Sequence, residues 1–186
     1  MAVQDKTQKL TYNDYQAFCA RPENADRIFE LIDGEAVEKM PSFEPSQITS
    51  RINDYIFIYL MQHEIGYLTV ADGGYMMPNG DVLNPDVCYI SNERLPQKPP
   101  REAPVPPDLA VEVKSPTDRI RALRAKAEKY IAGGTKLVGL VFPEEQVVEV
   151  YVPDKDVIPV GIDGVLEGGE VLSGFTLKVS DVFATM

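Results

Sequence analysis

Two short stretches of the sequence carry residues that could do chemistry: residues 84–87 (NPDV) and residues 108–115 (DLAVEVKS). Read as strands, Asp86 opens one apolar run, and Glu112 and Lys114 share one face of the other, because side chains alternate along a strand. Carboxylate oxygens are ligands that Mg²⁺ prefers. An ammonium group beside them could hold the attacking water or the scissile phosphate. The pattern therefore indicates metal-dependent hydrolysis of a phosphodiester.

Each of these residues also has a purely structural interpretation. Asp86 could be a turn acid at a strand entry, which is common. Glu112 is harder to explain in this way, because carboxylates are rarely buried in apolar strands unless they are paired. Its partner could be Lys114 alone, as a structural ion pair, or Lys114 together with a metal ion. Two ionisable groups on one face of a buried strand cost folding energy, which function can justify.

A basic helix could contribute to the same site. The segment 116–132 has apolar residues at helical spacing, and Arg119 and Lys126 lie along one flank of its apolar face. Lys126 could reach over the strand ends towards the carboxylates. The alternative for both residues is an ordinary solvated helix surface.

Acids near the N-terminus could extend the site. Asp33 and Gly34 form a strong two-residue hairpin signal, with Glu30 and Glu35 in the strands on either side. Either glutamate could contribute, and Glu35 is included in the predicted set. The only histidine, His63, falls at the end of a predicted helix, so a histidine-based zinc site is not expected.

Apolar periodicity and turn signals predict the elements that position these side chains. Helices are predicted at 10–20, 46–63 and 116–132, the last ended by Gly133 and Gly134. Strands are predicted beside the turns Asp33-Gly34 and Asn79-Gly80, and at 67–77, 86–90, 109–114, 137–142 and 147–152, followed by short strands from 157 onwards. This order indicates an α/β or α+β domain in which helices flank a mixed β-sheet.

Composition limits the possible classes of protein. A chain of 186 residues predicts one domain, 1–186, with a sizeable core. No apolar run is long enough to cross a membrane, and the first nine residues lack the apolar core of a signal peptide, so a cytoplasmic location is expected. The formal net charge of −11 argues against a protein that wraps duplex DNA, unless its basic residues are grouped locally.

The chain resembles the Uma-type family of restriction-endonuclease-like proteins, which is common in cyanobacteria and belongs to the PD-(D/E)xK nuclease superfamily. The resemblance rests on stretches spread over most of the chain: residues 29–35 (FELIDGE), 84–87 (NPDV), 107–113 (PDLAVEV), 115–117 (SPT) and 126–130 (KAEKY). It implies a restriction-endonuclease-like sheet flanked by helices, with Asp86 and Glu112 as metal ligands. It also implies an active-site lysine on the following helix, at Lys126, although Lys114 is present as well.

Together these observations predict an endonuclease that depends on Mg²⁺ or Mn²⁺, acts on DNA by analogy with the family, and forms a homodimer. The predicted catalytic residues are charged side chains, namely Glu35, Asp86, Glu112, Lys114 and Lys126. The predicted metal ligands are Asp86, Glu112 and the main-chain carbonyl of Val113. The alternative is a non-catalytic interaction or regulatory module that retains the nuclease fold, which the acidic balance favours. Metal binding distinguishes the two.

Overall fold

The computed structural model describes residues 9–63 and 65–184. The helices are α1 (Tyr12–Cys19), α2 (Phe43–Leu60), α3 (Ile120–Gly133) and α4 (Val179–Phe183). The strands are β1 (Phe29–Ile32), β2 (Glu35–Glu38), β3 (Gly66–Val70), β4 (Tyr75–Met76), β5 (Val82–Leu83), β6 (Val87–Ser91), β7 (Leu109–Val113), β8 (Leu137–Phe142), β9 (Val147–Tyr151), β10 (Ile158–Val160), β11 (Val165–Glu167) and β12 (Thr176–Lys178). None of the helices within these residues is long and apolar enough to cross a membrane.

The strands form a large sheet and two small ones within the described part of the chain. The large sheet has the order β10-β9-β8-β7-β6-β3. Strands β7 and β8 are parallel, and the other neighbours in this sheet are antiparallel. Helix α3 makes the crossover between the two parallel strands, as parallel pairing requires a long connection. The smaller sheets have the orders β2-β1-β5-β4 and β11-β12.

Helices cover both faces of the large sheet because its central strands are apolar on both sides. On one face, Ile52 and Ile56 of α2 pack in a cluster with Val111 and Val113 of β7. On the other face, apolar residues of α3 pack against Ala110 and its neighbours on β8. The alternation along β7 therefore points Glu112 towards α3, as Ala110 does.

Helix α3 is also fastened to the small sheet by ion pairs. Lys129 Nζ lies 2.5 Å from Asp33 Oδ1 and 2.8 Å from Asp81 Oδ2. Asp81 in turn accepts a hydrogen bond of 2.8 Å from the backbone N–H of Asp33, at the tip of the β1–β2 hairpin. Gly134 ends α3 with a φ of 100°, a left-handed conformation that glycine adopts without a Cβ clash. These contacts fix how α3 lies over the strand ends.

The predicted fold class, a mixed sheet flanked by helices, is confirmed. Several predicted elements differ in detail, and the helix predicted at 46–63 runs from Phe43 to Leu60. The segment 67–77 is two strands in different sheets, because a turn in which Gly73 N–H donates to the Val70 carbonyl separates β3 from β4. Helix α3 begins at Ile120 rather than at 116, since Asp118 caps a turn by accepting the Ser115 N–H at 2.8 Å. The tail ends in a short helix, α4, as well as strands.

Asp108, just before β7, has a buried carboxylate that is paired with two cations. The buried Asp108 side chain contacts the Ser91 N–H at 2.8 Å and the cations Arg94 and Lys136 at 3.1 and 3.2 Å. Burial alone would raise the pKa of Asp108, but these partners outweigh it and the net shift is downward. Its stabilising effect is therefore present above the unfolded pKa and is lost as the pH falls through the folded pKa.

We expect Asp108→Asn to lower the free energy of unfolding at pH 7 by about 1.5–3 kcal/mol, the typical contribution of hydrogen bonds to a charged group. The difference from wild type should begin to shrink below about pH 4, the ordinary pKa of an aspartate, and should vanish as the pH falls through the lower pKa of the folded state. Urea unfolding at several pH values measures both effects. The exposed Asp156→Asn is the matched control and should leave stability unchanged. A loss in Asp108→Asn that is equal at all pH values would contradict the electrostatic explanation.

Candidate active site

Asp86 and Glu112 lie together at one end of the large sheet. The antiparallel register that pairs Val87 with Val111 places Asp86 opposite Glu112 on the neighbouring strand. The backbone N–H of Val113 donates a hydrogen bond of 2.8 Å to Asp86 Oδ2, which fixes the aspartate across the strand ends. Like charges that face each other across a sheet repel. These two acids therefore need cations close by.

Lys126 supplies one of these cations from α3. Its Nζ lies 2.7 Å from Glu112 Oε1 and 2.7 Å from Glu30 Oε1. The side chains of Lys126, Glu30 and Glu112 are 11%, 5% and 4% exposed, so the three charges are held away from bulk water. Buried ion pairs persist only when their geometry compensates for lost hydration. Glu30 comes from β1 of the small sheet, so this contact joins both sheets and α3.

Lys39 supplies a second cation from the end of the β1–β2 hairpin. Its Nζ lies 2.8 Å from Asp86 Oδ1 and donates to the Asn84 carbonyl at 2.6 Å. The backbone N–H of Asn84 donates to Glu30 Oε1 at 2.6 Å. The hairpin positions Lys39 because its own N–H pairs with the Ile28 carbonyl at 2.9 Å, one residue beyond β2. Three acids and two lysines thus share one site, with a net charge of −1.

Glu112 has a strongly raised pKa in this arrangement. Burial raises the pKa of Glu112 to about 7, even though the ammonium groups of Lys126 and Lys39 act in the opposite direction. The charges of Asp86 and Glu30 add to the upward shift. The buried Tyr130 hydroxyl donates a hydrogen bond of 2.8 Å to Glu112 Oε1 and orients the carboxyl group.

Lys126 stays protonated in this environment. Burial lowers the pKa of Lys126, but the attraction of Glu112 and Glu30 outweighs burial and the net shift is upward. Lys126 is therefore a fixed positive charge next to a carboxyl group that can change its protonation state near neutral pH. That combination suits a site that stabilises negative charge on a reacting phosphate.

The structure brings Asp86, Glu112 and Lys126 together as the sequence indicated, but it does not bring Lys114 or Glu35 to them. Lys114 Nζ pairs instead with Glu144 Oε1 at 2.8 Å, in the turn between β8 and β9. Glu35 is exposed beside the hairpin turn, opposite Ile32. Of the two hairpin glutamates, Glu30 is the one that enters the cluster. For Val113 the contact is made by the N–H, and the role of its carbonyl stays a prediction.

Sequence reasoning missed Lys39 and the use of Tyr130 as a hydrogen-bond donor to Glu112. Lys39 follows the hairpin strand directly, and nothing in its local sequence distinguishes it from a surface lysine. Tyr130 belongs to the apolar face of α3, and its position four residues after Lys126 puts both side chains on the same side of the helix. Helix periodicity could therefore have indicated that Tyr130 accompanies Lys126.

The chemistry of the cluster fits a hard divalent cation. Glu30 of β1 and Glu112 of β7 share the Lys126 ammonium group, and Asp86, just before β6, faces Glu112. Carboxylate oxygens of this kind bind Mg²⁺ and Mn²⁺. The buried Asn84 Oδ1, two residues before Asp86, has no hydrogen-bond partner among the described residues. In the part of the chain that the structure describes, no three acidic, histidine or cysteine side chains form a ready-made metal cage. Lysine ammonium groups lie directly on the carboxylates instead.

Comparison with known proteins is consistent with this geometry. The family model of Uma2, described as "Putative restriction endonuclease", matches residues 12–180. This match extends from the first helix to the last and includes every residue of the cluster.

The chain belongs to the Uma2 family.

One solved structure shares the Uma2 fold seen here. It is described as "a putative nuclease belonging to DUF820" from Anabaena variabilis ATCC 29413. The two chains are 21% identical, with a TM-score of 0.81 over 94% of this chain and 97% of that one. Among curated proteins, no significant match is found. The chain is therefore a restriction-endonuclease-like protein of the Uma2 family.

The protonation behaviour of Glu112 is directly measurable. We expect a carbon-detected NMR titration of the glutamate carboxyl groups to show one resonance with a midpoint near pH 7, which Glu112→Gln removes. Tyr130→Phe should move the midpoint upward, because the hydroxyl stabilises the ionised form by hydrogen bonding. Tyr151→Phe, which removes a hydrogen bond to Glu149, is the matched control and should not move it. A Glu112 midpoint below the ordinary value of 4.5 would contradict the description of the site.

Proposed function

We propose that this Uma2 protein is an endonuclease that hydrolyses phosphodiester bonds of DNA with the help of Mg²⁺ or Mn²⁺. The observation that supports this most strongly is the cluster in which Asp86, Glu112 and Glu30 share the ammonium groups of Lys39 and Lys126. A structural domain has little reason to bear the cost of burying so many charges. Family membership gives the same chemistry a precedent by analogy.

In this proposal Asp86 and Glu112 hold the metal, with help from the Val113 carbonyl. A bound Mg²⁺ or Mn²⁺ would lower the pKa of a coordinated water and offset charge on the phosphorane-like transition state. Lys126 would orient the attacking water and stabilise the developing negative charge. Glu30 keeps the Lys126 ammonium in place at 2.7 Å, and Tyr130 does the same for the Glu112 carboxyl group at 2.8 Å.

The substrate must approach a protein of net charge −11, so the binding surface has to be locally basic. Arg119 and Arg121 are exposed at the start of α3, the helix that carries Lys126. These two arginines are therefore the proposed contacts for DNA phosphates. We also propose that the protein works as a homodimer, because two sites related by a two-fold axis could cut both strands of a duplex. The proposed location is the cytoplasm.

A non-catalytic interaction module is the second candidate function. One specific observation favours it: the carboxylates of the cluster are already neutralised by internal lysines, as in a structural ion-pair network. Such a module would keep the fold and bind neither metal nor DNA. The two candidates therefore differ in a property that can be measured directly.

Metal binding and DNA cleavage of paired variants test the proposal. We expect wild type to bind Mn²⁺ in isothermal titration and to nick plasmid DNA, and Asp86→Asn and Glu112→Gln to lose at least about a hundredfold in cleavage rate. Of Lys126 and Lys114, only Lys126 lies in the cluster, so we expect Lys126→Met to lose cleavage activity and Lys114→Met to retain it. Glu30→Gln and the exposed Glu35→Gln form the second pair, with the loss expected in Glu30→Gln.

Circular dichroism and thermal unfolding establish that each variant is folded. Loss of cleavage in Lys114→Met but not in Lys126→Met would reassign the catalytic lysine. Absence of metal binding in wild type at millimolar Mn²⁺, together with absence of cleavage, would overturn the nuclease proposal and support the interaction module.

A further inference from the structure

The two lysines of the cluster are held in different ways. Lys126 is buried on a helix and lies between two carboxylates, Glu30 and Glu112. Lys39 follows an edge hairpin strand, is 20% exposed, and contacts one carboxylate, that of Asp86, and the Asn84 carbonyl. Lys126 is therefore enclosed by packed elements, whereas the partly exposed Lys39 has a path along which its side chain can rotate towards solvent.

Each carboxylate oxygen of Asp86 already has one partner, and Lys39 is one of these partners. Asp86 Oδ1 lies 2.8 Å from Lys39 Nζ, and Asp86 Oδ2 accepts the Val113 N–H at 2.8 Å. Of these two partners, the backbone N–H belongs to β7 and cannot withdraw without disturbing the sheet. A cation that binds Asp86 must therefore either share a carboxylate oxygen with one of these partners or replace the ammonium group of Lys39.

Electrostatic repulsion also favours the displacement of Lys39 by a metal ion at Asp86. A divalent ion held by Asp86 and Glu112 would lie a few ångströms from the positive charge of Lys39, and like charges at such a separation repel strongly in a site shielded from water. The Lys39 ammonium group and a metal ion thus compete for the same position beside Asp86.

We propose that Lys39 is a built-in counter-ion that holds the metal site closed, and that a metal binds only when Lys39 moves away from Asp86. The inference rests on the proposed function, since it concerns the same site. In the closed state Lys39 stabilises the fold by compensating Asp86. In the open state its ammonium group lies at the edge of the site, where a phosphate of the substrate could take the place of Asp86.

Lys39→Met tests this directly, because methionine keeps an unbranched side chain and removes the charge. In isothermal titration with Mn²⁺ we expect Lys39→Met to bind on the order of tenfold more tightly than wild type, since close charge pairs couple by at least that much. Lys39→Arg keeps the positive charge and should bind like wild type. Lys155→Met changes the net charge equally at an exposed turn position and is the matched control.

Thermal unfolding gives a second readout in the same variants. Without metal, Lys39→Met should unfold at a lower temperature than wild type, because Asp86 loses its partner. Saturating Mn²⁺ should raise the unfolding temperature of Lys39→Met by more than it raises that of wild type, since stabilisation by a ligand grows with the logarithm of its concentration divided by Kd.

Amine labelling of the wild-type protein avoids mutation altogether. We expect the acetylation rate of Lys39, read by mass spectrometry relative to Lys155, to rise several-fold when Mn²⁺ is added. An unchanged rate under saturating Mn²⁺ would overturn the inference.

The outcomes separate the failure of the inference from the failure of the proposed function. If wild type binds Mn²⁺ and Lys39→Met binds it no more tightly, Lys39 does not close the site and the inference is wrong while the nuclease proposal stands. If neither wild type nor Lys39→Met binds Mn²⁺, both are wrong. Binding of Mn²⁺ by both proteins, with the tighter binding in Lys39→Met, would support a site closed by Lys39.

Discussion

The ion pairs of Lys126 are the interaction on which the site depends. One ammonium group lies 2.7 Å from Glu30 of the small sheet and 2.7 Å from Glu112 of the large sheet, and it comes from the helix that connects the two parallel strands. Removing one partner from a buried ion pair costs about 3–5 kcal/mol, because it leaves an uncompensated charge. The relative placement of α3 and both sheets is thus coupled to charge balance within the cluster.

The rest of the fold supports this arrangement. Lys129 ties α3 to Asp33 and Asp81 of the small sheet, one helical turn beyond Lys126, so the helix cannot slide along the strand ends. Behind Glu112, Ala110 and the apolar face of α3 form a dry cluster, which accounts for the raised pKa of Glu112. The structure therefore places Glu112, whose pKa is raised to about 7, beside a lysine that stays charged.

Local sequence signals predicted much of this structure. The Asp33-Gly34 turn closes the first hairpin, and Gly133 and Gly134 end α3. Alternation along β7 put Glu112 on the face opposite Val111 and Val113, and helical periodicity brought Lys126 towards the strand ends. These features depend on neighbours in the sequence, so they could be read before the fold was known.

What could not be predicted depends on contacts between distant segments. Lys114 lies two residues after Glu112, so strand alternation predicts that both side chains point the same way. In the structure the Lys114 ammonium group pairs instead with Glu144, 30 residues later in the chain. Glu30 and Glu35 both flank one turn, and the choice between them follows from the packing of β1 against β5 and the Asn84 segment. Lys39 reaches Asp86 across 47 residues of sequence, a separation over which no local pattern carries information.

We propose that Asp86 and Glu112 form a metal site beside Lys126. The most direct test is a crystal structure of the wild-type protein soaked in Mn²⁺, with anomalous scattering recorded at the manganese edge. We expect an anomalous peak within coordination distance of carboxylate oxygens of both Asp86 and Glu112, with Lys39 displaced from Asp86. Saturating Mn²⁺ with no peak at these residues, and with both lysine ion pairs intact, would contradict it.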